Sequence, residues 1–125
     1  MSELRINEIP VPLANYIRLI KHRYHPYYDI VRHVVNDMEK HYKRTEHTSG
    51  IVYTINPRVL HEQIEAKVKS EKLTTVNICR SILALIHGSE LREEDDFYVT
   101  TTSHGRRNYH IKVNDRTLNS MFKLV

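Results

Sequence analysis

TVNICRSILALIHG (residues 75–88) and FYVTTTSHGRRNYHIKV (residues 97–113) are the two stretches on which the fold turns. In the first, Val76, Cys79, Ile82, Leu83 and Ile86 recur at intervals of three and four, the spacing of one helix face. Thr74 or Thr75 suits its cap, and His87-Gly88 its end. In the second stretch the period falls to two. Phe97, Val99 and Thr101 alternate with Tyr98, Thr100 and Thr102, then Tyr109, Ile111 and Val113 with Asn108, His110 and Lys112. Between them Ser103-His104-Gly105-Arg106 is a turn in which Gly105 is free to take a positive φ. The reading is a helix followed by a β-hairpin.

Upstream, Asn56-Pro57 marks another helix start, with Asn as cap and Pro in the first turn. Leu60, Ile64 and Val68 give that helix its apolar stripe, as far as about Ser70. It is preceded by the β-branched run Ile51-Val52-Tyr53-Thr54-Ile55, a short strand. Before the strand come two helical pieces separated at His25-Pro26, where the residue preceding proline is biased away from helix. The first carries Leu13, Tyr16, Ile17 and Ile20; the second carries Tyr27, Ile30, Val31, Val34, Val35, Met38 and Tyr42. One kinked helix and a helical hairpin both fit. Downstream, Leu118, Met121, Phe122 and Val125 keep helical spacing in a tail over 115–125. No internal repeat or flexible linker divides the chain, so one α+β, mostly α, domain is expected.

Composition agrees. The 125 residues can bury about two-thirds of their unfolded surface without a disulfide scaffold. Charged residues make up 27% and hydrophobic ones 40%, which excludes wholesale disorder. The N-terminus lacks the apolar run of a secretion signal, and no stretch is apolar enough to span a bilayer. Cys79 stands alone, so an internal disulfide and a cysteine zinc cage are both excluded. The expectation is an intracellular (cytoplasmic), mildly basic protein.

The order helix, strand, helix, turn, helix, hairpin over 51–113 resembles a winged helix-turn-helix domain. The upstream helix would complete its three-helix core, with an additional N-terminal helix and a short C-terminal helix outside it. The resemblance implies that helix 75–87 enters the major groove of DNA and that the hairpin is a wing. Under that reading Thr75, Asn77, Arg80, Ser81 and Ala84 face solvent, and Asn77, Arg80 and Ser81 share one face at i, i+3 and i+4. Arg and Asn are the side chains that pair with guanine and adenine edges. No acid falls between Lys72 and Ser89, as a surface meeting phosphates requires. At the wing, His104, Arg106, Arg107 and Lys112 are the candidate backbone contacts, with Thr100, Thr102 and Ser103 as hydroxyl donors. Lys67, Lys69 and Lys72 cluster at the turn between the paired helices, either as further contacts or as plain surface lysines. The acidic run Glu93 to Asp96 should lie away from nucleic acid, at the base of the hairpin.

The tyrosine-rich N-terminal helices suggest a homodimer interface through Tyr16, Tyr27, Val31, Val34, Met38 and Tyr42, which would pair two DNA half-sites. The nine histidines have no metal-ligand spacing, so no metal or other cofactor is expected, and no effector site is evident. No catalytic motif occurs, so an enzyme is not expected. A small transcriptional regulator binding double-stranded DNA is the expected function. The alternatives are a winged protein-interaction adaptor and a plasmid- or virus-type replication or partition protein.

Overall fold

A computed structural model describes residues 10–45, 51–65 and 74–125. The chain is α+β and mostly helical: α1 (Pro10–Ile20), α2 (Pro26–Arg44), β1 (Ile51–Ile55), α3 (Pro57–Ile64), α4 (Thr75–Gly88), β2 (Phe97–Thr101), β3 (Arg107–Val113) and α5 (Asp115–Leu124). Among these residues no helix is long and apolar enough to cross a membrane.

Helix starts follow their caps. The His25 ring accepts the Tyr27 amide at the head of α2, and Pro26 occupies the first helical position. Asn56 accepts from the amides of Arg58 and Val59, again with Pro next. Thr74 accepts from Asn77, and Asn114 and Thr117 close a capping box at α5. That box places the tail's helix start at Asp115, ahead of its first apolar residue. The helix α3 ends at Ile64, short of Ser70, and Val68 and Ser70 lie outside the described residues.

α1 and α2 are two helices packed on each other, which settles the N-terminal ambiguity. α1 also packs on α4, and α2 on both α4 and α5, so α4 is enclosed on several sides. Gly88 marks where three helices meet: a Cβ there would stand 2.9 Å from a Leu124 methyl of α5 and 3.4 Å from one of Ile17 in α1. The strands form one antiparallel sheet of order β1-β3-β2, with Ile55, Tyr109 and Val99 paired across it. A continuous core joins Ile30, Val34, Ile64, Ile82, Ile111 and Met121 from both layers.

The N-terminal helices spend their apolar stripe on this core. Val31, Val34 and Met38 are fully buried and Tyr42 is 7% exposed within a single chain, so these four are core residues and not an interface. Tyr16 and Tyr27 stack on one another with ring centroids 5.2 Å apart, partly covering each other. Among the described tyrosines, Tyr24 is the one that stands out, at 90% exposure.

Of the acidic run, Asp96 is absorbed at the hairpin base, and Glu93, Glu94 and Asp95 stay exposed. Asp96 is buried, accepts the Arg92 amide at 2.8 Å and pairs with Arg116 of α5. Burial acts to raise its carboxyl, but the Arg92 amide and the Arg116 guanidinium outweigh that and hold it below the usual carboxylate range.

Candidate nucleic-acid interface

β1 leads straight from Ile55, paired with Tyr109, into the cap of α3, so the first turn of α3 emerges beside the start of β3. The N-terminal half of α4 runs past the same place. Between α4, the head of α3 and the hairpin tip lies an open cleft of about 510 Å³. Four arginines line it: Arg58 from α3, Arg80 from α4, and Arg106 and Arg107 from the hairpin. Among the described residues that line it, none is acidic. Pro57, Val76, Cys79, Leu83 and Tyr109 supply its apolar surface.

α4 is turned relative to the sequence reading. Val76, expected inside, is 56% exposed, and Cys79 sits half-buried on the cleft wall. Ser81 and Ala84, expected in solvent, are fully buried. The Ser81 hydroxyl donates to the Asn77 carbonyl at 2.8 Å, one turn back, and reaches no solvent. Ser81 is therefore not a base-reading side chain. Asn77 is half-buried, and its Oδ1 accepts the Tyr16 hydroxyl of α1 at 3.0 Å. The cause is α1, which covers the flank of α4 that a single-stripe reading leaves open.

Arg80 stays in solvent, its guanidinium 5.9 Å above the Tyr16 ring centroid. That is cation–π range, so the tyrosine limits where the long side chain points. Burial and the neighbouring Tyr16 hydroxyl push Tyr27, beneath it in the stack, up to about 12. Thr75 is half-exposed on the cleft wall. Of the four residues expected to read bases, Thr75 and Arg80 share the cleft, Asn77 is tied to α1, and Ser81 is interior.

At the hairpin tip Gly105 has φ of 77°, the left-handed conformation that the turn reading assigned to it. The Thr102 hydroxyl accepts the amides of His104 and Arg106 and so shapes the turn. Arg106 and His104 are exposed; they share a second recess with Arg58, Val59 and Glu62. Among the described residues Glu62 is the one acid on either recess, four residues beyond Arg58 on α3. Arg107 is half-buried and lies close to Tyr109 and Cys79. Burial pushes the Cys79 thiol up against the opposing influence of Tyr109 and Arg107, so it is a poor nucleophile near neutrality.

Lys112 does not belong with the tip. It lies near the other end of β3, where its ammonium donates to the Glu94 carbonyl at 2.8 Å, amid the acidic run. It stands five residues along the strand from Arg107, roughly 17 Å at the rise of an extended chain. Lys67, Lys69 and Lys72 fall outside the described residues. Sequence reasoning missed Arg58; its position beside a helix cap directly after β1 is the signal that could have found it. Among the described residues no group of three or more His, Cys, Asp or Glu is placed to hold a metal ion.

Comparison with known proteins finds no matching family model, no matching curated protein and no matching solved structure.

Proposed function

We propose that the protein is an intracellular, winged-helix binder of double-stranded DNA, acting as a small transcriptional regulator, with α4 in the major groove and the β2–β3 hairpin as its wing. The observation that carries this is the convergence of Arg58, Arg80, Arg106 and Arg107, from three separate elements, on one cleft with no acid among its described lining residues. A helix flanked by an arginine-tipped hairpin presents positive charge to both a groove and the adjoining phosphates. The β1-β3-β2 order, with the helix pair inserted between β1 and β2, also supports a winged arrangement.

The roles are narrower than the sequence suggests. Arg80 reads bases, with Thr75 and Val76 at the groove edge, while Arg58, Arg106 and His104 meet phosphates. Asn77 acts through Tyr16 to hold α4 against α1. A homodimer on paired half-sites is retained in this reading, but its contact lies outside the buried α2 stripe. Tyr24 is what the N-terminal helices leave open for it.

The test is selection of bound sequences from random duplexes at two salt concentrations. The two arginines on phosphates predict that log affinity falls against log salt with a slope of roughly −2. Arg80→Ala should flatten the selected sequence preference, and Arg106→Ala should weaken all duplexes alike. No duplex affinity at low salt would remove this reading in favour of a protein-binding adaptor.

A further inference from the structure

The cleft between α4 and the hairpin offers more than a duplex can use. Its arginines lie over an apolar floor, with Leu83 and Tyr109 almost fully covered and Val76 and Cys79 partly open. A phosphate backbone is hydrated and gains nothing from such a floor, of which a duplex would meet little beyond the exposed Val76. Volume points the same way: about 510 Å³ falls within the range of roughly 300–1,000 Å³ typical of small-ligand sites. Such sites are mainly apolar with a few convergent polar groups, which is the composition here.

We propose that this cleft binds a small aromatic organic acid, its anionic head paired with the arginines and its ring laid against Val76, Leu83 and Tyr109. A guanidinium matches a carboxylate or sulfonate in paired hydrogen bonds, and it also stacks on a flat ring. A cation is repelled by the arginines, and a neutral aromatic offers them no counter-charge. An inorganic anion leaves the floor wet. The chemistry therefore requires ring and charge in one molecule. Arg80 and Arg106 are also the side chains assigned to DNA, so a bound acid and a bound duplex exclude each other. That consequence rests on the DNA reading; the site itself does not.

The experiment titrates the full chain with naphthoate, naphthylmethanol and acetate by calorimetry, with no DNA present. Alkylation of Cys79 by N-ethylmaleimide is followed in parallel. Naphthoate is expected to bind one per chain and to slow Cys79 alkylation. The alcohol lacks the charge and acetate lacks the ring, so each should bind at least about tenfold more weakly. Replacing the exposed Arg80 and Arg106 together by Gln should lower naphthoate affinity by about tenfold, with the urea unfolding midpoint unchanged. Absence of naphthoate binding, equal binding of the alcohol, or binding that leaves Cys79 as reactive as before overturns the proposal. If naphthoate binds and shields Cys79 while no duplex binds at any salt, the site stands and the DNA reading falls.

Discussion

α4 and the hairpin each have a tied side and an open side, and the two kinds of side treat charge in opposite ways. On the tied side Asn77 and Ser81 lie against or beneath α1, while at the hairpin base Asp96 pairs with Arg116 and Lys112 with the Glu94 carbonyl. On the open side Arg80 and Arg106 remain in solvent about one cleft. Asp96 of the 93–96 run serves the fold at one end of the hairpin, while Arg80 and Arg106 stay exposed on the cleft at the other. Net charge of +4 conceals this sorting.

The sharpest way to break the comparison is stability. Ile82→Ala, deep on the enclosed side, should cost about 2–5 kcal/mol in urea unfolding, whereas Arg80→Ala should stay within about 0.5 kcal/mol. Similar losses for the two would mean that α4 has no open face. Next in size, Asp96→Ala should cost about 1–3 kcal/mol, because it leaves the Arg92 amide without its acceptor. The Asp96 carboxyl is depressed on folding, so its contribution is present above the unfolded value of about 3.9 and lost as pH falls through the lower folded one. The unfolding midpoint of the wild type should therefore drop more steeply below about pH 4 than that of Asp96→Asn. Smallest, Tyr16→Phe removes one hydrogen bond to Asn77 but keeps the ring under Arg80, and should cost about 0.5–1.5 kcal/mol. No change in the Asn77 side-chain amide resonances of that variant would contradict the contact.

Element order was readable because caps and periods are local. Asn56-Pro57, Thr74 and Gly105 each act within a few residues, and each stands where its chemistry predicts. Which face of α4 is covered was not readable from one stripe, since α1 approaches from 61 residues away in sequence, the separation of Tyr16 from Asn77. A hint existed in Ile82-Leu83-Ala84-Leu85-Ile86, a run with no polar residue, which a helix carries when it is enclosed all round. Ser81 beside that run satisfies its hydroxyl on its own backbone, so its polarity misleads. Arg58 was missed because the register of β1 on β3 is a long-range fact, and that register carries α3 to the hairpin tip. Likewise the α2 stripe was legible as apolar, but periodicity does not say whether a stripe meets its own chain or another. Here it meets its own.

On the proposed DNA-binding role, Arg80 of α4 and the hairpin tip act as one surface for nucleic acid. Backbone amide shifts of the full chain during titration with a short duplex at low salt test it most directly. A shared surface requires that Arg58, Val76, Arg80 and residues 103–107 move together along one binding curve while buried α2 and the Asp96–Arg116 end stay fixed. Shifts centred on α2 or the hairpin base, or movement of the tip without Arg80, would contradict it.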